Sequence, residues 1–120
     1  MRNMSFAITT EAMESRQKTV TRRNGWKFLQ PGDVIRPVKK AMGLKKGEKV
    51  EPLSCGPIRI LSLRREPLHA ILHEPYGCKK EGFPGMSPLE FVIMYRRANK
   101  GHSGGLVSRI EFEYVNEAPK

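Results

Sequence analysis

One stretch gathers more reactive side chains than any other part of this sequence: Lys18-Thr19-Val20-Thr21-Arg22-Arg23. Its β-branched alternation favours a strand. On a strand, Lys18, Val20 and Arg22 point to one face, and Thr19, Thr21 and Arg23 to the other. Near a strand end, a cation and a hydroxyl on adjacent positions can meet one ligand. Arginine offers a planar fork for a phosphate or a base edge. Lysine offers a point charge, or a base or nucleophile where burial lowers its pKa. The plain alternative is an exposed basic edge strand, which deters aggregation.

A carboxylate that could complete such a site is Glu81, in a stretch that reads as a loop from Tyr76 to Gly85. There it could take a proton from water or from a nucleophile. By itself it reads more readily as a loop carboxylate paired with Lys79, Lys80 or a sheet arginine, because lone loop carboxylates are usually solvated. Tyr76 and Phe83 share that loop and could stack on a base or simply pack. Trp26, followed by Phe28 and Leu29, reads as core.

A second set is Cys55, His69, His73 and Cys78. Zinc takes such Cys₂His₂ sets, and two histidines four apart share a face of an α-helix. The cysteines form no CxxC, however. Two helix-surface histidines and two small buried thiols are the preferred reading, so neither a metal nor a cofactor is expected. His102 sits in a Gly/Ser loop and reads as solvated.

The charge is segregated. Net charge is +10, yet residues 16–65 hold 14 Lys+Arg against 3 Asp+Glu, leaving a net −1 for the remainder. A one-sided positive field attracts polyanions and steers them on arrival. Nucleic acid or a phosphate-bearing ligand is therefore expected, with Lys39, Lys40, Lys45 and Lys46 meeting its backbone.

These residues need a scaffold. The 120-residue length fits a single domain, 1–120. Turn signals at Asn24-Gly25 and Pro31-Gly32-Asp33 break the chain into short elements. Strands are expected at Ser5–Ile8, Lys18–Arg22, Val34–Val38, Pro57–Arg64 and Leu106–Val115. Residues 41–55 read as a basic, flexible loop. Helices are expected from Thr9 or Thr10 to Gln17, from Pro67 to Leu72, and after Ser87-Pro88-Leu89-Glu90, a full helix-start signature. Leu89, Val92 and Ile93 are the expected apolar face of the last. Asn99–Gly105 reads as a turn. The count, five to six strands with two to three short helices, makes the fold class α+β, with a curled sheet or barrel. No apolar run approaches the roughly 20 residues a membrane span needs, and the N-terminus lacks the apolar core of a secretory signal. No membrane partner and a cytoplasmic location are expected, with the cysteines reduced.

The order of these features resembles the ASCH family. Lys18-Thr19-Val20-Thr21-Arg22-Arg23 after an early helix is similar to the family's K-T-x-T/E-x-R segment. Trp26 and Pro31-Gly32-Asp33 resemble its turn into the next barrel strand. Glu81-Gly82-Phe83 resembles its E-G-F segment before a capped helix, and Val107–Tyr114 its closing strand. The likeness runs from about Ser5 to Val115. The Thr-Arg-Arg, Gly25-Trp26 and Glu81-Gly82-Phe83-Pro84 forms resemble phage and prophage members. The resemblance implies a PUA-like β-barrel with a ligand cleft, binding nucleic acid (RNA ahead of DNA) or a modified nucleobase. Some small bacterial members are amidohydrolases that deacetylate N4-acetylcytidine with a Lys, a Thr and a Glu. Lys18 and Thr21 match two of these, and Glu81 is the best match for the third, although the loop 82–86 is longer here. Arg22, Arg23, Tyr76 and Phe83 would then hold the ligand. Other members are ribonucleases, and a phage protein-interaction module is a further reading.

Overall fold

The computed structural model describes residues 1–41, 44–100 and 105–115. Five strands form one mixed sheet: β1 (Arg2–Ser5), β2 (Val20–Arg23), β3 (Val34–Val38), β4 (Ile58–Pro67) and β5 (Leu106–Tyr114), in the order β1-β3-β4-β5-β2. Only β1 and β3 run parallel; the other neighbours are antiparallel. Helices are α1 (Thr10–Glu14), α2 (Gly77–Lys80) and α3 (Pro88–Ala98), with a 3-10 segment at Leu68–His73. The class is α+β.

The sheet corrects the expected barrel. Its terminal strands β1 and β2 share no ladder, so the curl stops short of closure. A side chain spans the seam instead: the Arg23 guanidinium donates to the Ser5 carbonyl and lies 4.8 Å from the Phe6 ring centroid. Phe6 meets Phe112 of β5 edge-on, with ring centroids 6.2 Å apart.

The sheet buries both faces, in two cores. Met4, Phe6, Met13, Leu29, Ile35, Ile58, Ile60, Ile110 and Phe112 fill the concave side. Leu68, Ile71, Cys78, Phe91, Val92, Tyr95 and Val107 join the helices to the sheet's other face. β5 serves both, because Val107 differs in parity from Ile110 and Phe112, and successive side chains alternate faces. Opposite β5, Leu61 makes a bulge between the pairs Ile60↔Phe112 and Ser62↔Glu111, which sharpens the local twist.

Several elements differ from expectation. The first strand is Arg2–Ser5 rather than Ser5–Ile8, and α1 stops at Glu14 rather than Gln17, followed by Arg16 at φ 60. α3 does carry its full capping box on Ser87 and Glu90. Its buried face, however, is Phe91, Val92 and Tyr95, while Leu89 and Ile93 are 61% and 44% exposed. The segment after Pro67 is a 3-10 helix, not an α-helix. At three residues per turn, His69 and His73 no longer share a face. Both are exposed, Cys55 and Cys78 are buried free thiols in different cores, and no metal-holding group of three or more His, Cys, Asp or Glu occurs among the described residues. Within the expected loop Tyr76–Gly85 lies the single turn of α2. The basic stretch forms no strand or helix over its described residues, only an isolated bridge from Val38 to Pro52. His102 and most of the Asn99–Gly105 turn lie outside the described residues, and no helix among those described is long and apolar enough to cross a membrane.

Candidate functional site

The unclosed seam makes the site. Between β1 and β2 lies a cleft of about 290 Å³, lined by residues 5–9, Lys18, residues 21–24, Glu81, Phe83 and the inner face of α3. It runs along the open edge of β2, so residues from both faces of that strand reach it. Its polar lining is Lys18, Thr21, Arg22, Arg23 and Asn24. Phe83, Phe91, Met94 and Tyr95 line it as well, and the Tyr95 hydroxyl donates to Asn24 Oδ1 at 2.6 Å.

Glu81 is buried, 2% exposed, where the chain has brought it beside β2. The backbone arranges this. Thr19 N–H donates to the Lys80 carbonyl at 2.8 Å, tying the end of α2 to the start of β2. Gly82 follows at φ 96, and a Cβ there would lie 2.8 Å from the Ala12 Cβ. Only glycine takes that backbone without strain while letting α1 approach so closely. Glu81-Gly82-Phe83 thus brings a carboxylate and an aromatic ring to one cleft within three residues.

Lys18 Nζ donates to the Glu81 carbonyl at 2.6 Å and to Glu81 Oε1 at 3.2 Å. Arg22 Nη1 donates to Glu81 Oε2 at 2.8 Å. Both carboxylate oxygens of Glu81 therefore already accept from cations. Burial lowers the Lys18 pKa, and the nearby Arg23 and Arg22 lower it too; Glu81 opposes all of these by its charge and its hydrogen bond. Arg23 is pushed down to about 10 by burial, and burial raises the Tyr95 phenol to about 12. Thr21 accepts a hydrogen bond from Arg23 Nε at 3.1 Å, on the strand face away from Arg22.

Beneath the cleft the register across three strands sets Arg22 opposite Arg109, and Arg109 opposite Arg64. Like charges in such a row repel, and carboxylates from outside β2 and β5 are interleaved with them. Glu74 accepts from Arg22 at 2.8 Å and from Arg109 at 2.6 Å. Glu66 accepts from Arg22 at 3.3 Å and from Arg64 at 2.6 Å. Burial raises the Glu74 pKa, but hydrogen bonds and charge from Arg109 and Arg22 hold it below its ordinary value. Arg22 is fully buried, and its Nε has no partner among the described residues. Burial favours loss of the Arg109 charge, and its bond to Glu74 reverses that, raising its pKa. Reading along the sequence misses Glu66, Glu74, Arg64 and Arg109; the only trace of the row is three arginine-bearing strands.

Of the expected site residues, the cleft brings together Lys18, Thr21, Arg22, Arg23, Glu81 and Phe83. It does not include Tyr76, which is 77% exposed in a separate depression. Trp26 is partly buried against the concave core. Lys39, Lys45 and Lys46 are exposed, and Lys40 lies 3.4 Å from Glu48. Lys39 borders a groove that shares Ala7, Ile8 and Thr9 with the cleft, so the basic stretch begins beside it.

No family model matches this chain, and no curated protein matches it in sequence. Solved structures do. A protein of Enterococcus faecalis V583 assigned to the DUF984 family aligns at TM-score 0.68 and 14% identity, covering 96% of this chain and 76% of that one. The hypothetical protein PH0355 aligns at TM-score 0.60 and 20% identity, covering 95% and 96%. A point mutant of the ZmASCH protein from Zymomonas mobilis aligns at TM-score 0.57 and 16% identity, covering 93% and 66%. At these identities the likeness concerns architecture: the chain has a fold shared with an ASCH protein.

Proposed function

We propose that the cleft holds a single nucleobase, free as a modified nucleoside or carried by a nucleic-acid strand. The observation that carries this reading is the cleft's mixed lining: aromatic residues together with charged and polar ones around a space of about 290 Å³. That volume lies at the lower end of small-ligand pockets. It suits one base and excludes a duplex. Phe83 offers a stacking face, and Arg23 and Asn24 offer groups for a base edge. Lys39, Lys40, Lys45 and Lys46 would meet the phosphates, with RNA preferred to DNA. The motif forms suggest a phage or prophage provenance.

The second reading is hydrolysis of N4-acetylcytidine, favoured by the buried Lys18–Glu81 pair beside Thr21. Water would bond to the acetyl carbon and give one proton to Glu81. The Lys18 ammonium would stabilise the oxyanion. The bond from that carbon to N4 would then break, the amine taking the proton from Glu81 and acetic acid leaving, to ionise to acetate in solution. Binding ranks first because both Glu81 oxygens already accept hydrogen bonds from buried cations within the fold.

The test is calorimetric titration of N4-acetylcytidine and cytidine into wild type and Phe83→Ala, with acetate release followed in parallel for wild type and Lys18→Ala. Binding abolished in Phe83→Ala without acetate release supports the cleft reading. Acetate release abolished in Lys18→Ala establishes the hydrolase. Failure to bind either nucleoside or a single-stranded oligonucleotide at low salt rejects the proposal and leaves a protein-interaction role.

A further inference from the structure

Tyr76 stands apart from the cleft and is unusual in two independent ways. It is 77% exposed. It also holds φ 56, ψ 25, the left-handed region, as the residue before α2. A bulky residue there is a genuine outlier. Such strain persists only where the surroundings over-determine it, and it gathers at ligand sites.

The surroundings do fix it. Pro75 precedes it, Gly77 N–H donates to the Glu74 carbonyl at 3.1 Å, and Lys80 N–H donates to the Tyr76 carbonyl at 2.9 Å. Gly77 has no room for a side chain, since a Cβ would lie 2.9 Å from Ile71 Cγ1. The ring is thus carried on a rigid turn, with no hydrogen bond or ring contact to the described residues. It borders an open depression of about 420 Å³ with Gln17, Thr19, Lys79 and Lys80.

That depression backs onto the cleft. Thr19 and Lys80 line it, while their chain neighbours Lys18 and Glu81 line the cleft. The backbone hydrogen bond from Thr19 to Lys80 ties the two linings together.

We infer that Tyr76, with Lys79 and Lys80, is a second subsite that stacks a neighbouring base of a single-stranded nucleic acid whose phosphates meet the two lysines. This rests on the reading that the cleft takes one base of such a strand. The Tyr76 backbone is already ordered by the turn, so stacking costs only the side chain's own rotamer freedom, and stacking tolerates any base because each has a π-face. The subsite therefore adds affinity for length rather than sequence.

The experiment measures binding of a cytidine mononucleotide and of single-stranded RNA and DNA hexamers at low salt. The proteins are wild type, Tyr76→Gly, Tyr76→Trp and Phe83→Ala. Glycine removes the ring and accepts the left-handed backbone, so Tyr76→Gly keeps or raises the Tm. Its hexamer affinity should fall about five- to a hundred-fold, with mononucleotide affinity unchanged and Tyr76→Trp near wild type. Equal loss with RNA and DNA marks base stacking; loss with RNA alone assigns the subsite to RNA. If Tyr76→Gly binds hexamers like wild type while Phe83→Ala does not, the second subsite is wrong and the cleft reading stands. If wild type binds neither mononucleotide nor hexamer, both fail.

Discussion

Two regions of this molecule are rich in the same cations and use them oppositely. Beneath the cleft, Lys18, Arg22 and Arg109 are interleaved with Glu66, Glu74 and Glu81, with Arg64 reaching them from the exposed side, and the Arg22 side chain is wholly buried. Between Lys39 and Lys49, five lysines accompany one glutamate, and the single ion pair described there is about half exposed. A buried charge stripped of its partner is destabilising because water cannot replace it, whereas an exposed one is screened and contributes little to folding. The buried set therefore fixes geometry and the exposed set supplies attraction at a distance. The net charge of +10 conflates the two.

Breaking the buried set should have the largest effect. Arg22→Met leaves Glu81, Glu66 and Glu74 without their shared cation and should lower unfolding free energy by about 3–5 kcal/mol, read from the urea midpoint. A midpoint within error of wild type contradicts the network's role. Gly82→Ala comes next, at about 1–3 kcal/mol for its left-handed backbone, with an added clash against Ala12. It should weaken cleft binding too, because Glu81 and Phe83 flank it.

The exposed set should answer in binding rather than in stability. Replacing Lys39, Lys40, Lys45 and Lys46 with alanine should leave the urea midpoint in place. The dependence of log affinity on log salt should become shallower by about 0.7 for each phosphate of a single strand that a lysine no longer neutralises. An unchanged slope would detach the stretch from binding.

The finest distinction is in pH. Glu74 titrates below its ordinary value in the fold, so in the acid range the unfolded chain binds the proton first. The stability it confers is complete above the ordinary glutamate value and is lost as pH falls through the lowered one. The Tm of Glu74→Gln should therefore fall less steeply with acid than that of wild type. Parallel curves would mean that Glu74 is not held by Arg22 and Arg109.

Local signals were legible in the sequence and long-range ones were not. Ser87-Pro88-Leu89-Glu90 announces α3 because its cap is made within one turn. The same helix hides which side is buried. Leu89/Ile93 and Phe91/Tyr95 are both apolar pairs at helical spacing, and packing on Val107 and Cys78 chooses the second. Lys18, Thr21 and Glu81 all line one cleft. The arginine row depends on the strand order β4-β5-β2, which no local pattern encodes. Phe83 and Tyr76 are seven residues apart in one expected loop, yet the turn of α2 and the positive φ of Tyr76 send them to different sites. The seam stays open because its edges meet through a side chain, Arg23, rather than a backbone ladder.

The most direct test of the central claim is amide chemical-shift mapping as a single-stranded RNA hexamer is titrated in at low salt. The account predicts the largest shifts at residues 5–9, 21–24 and 81–83 and along the inner face of α3, with smaller ones at Lys39–Lys49. Shifts confined to the lysine stretch, with the cleft amides unmoved, would contradict it and make the basic stretch, not the seam, the whole of the binding surface.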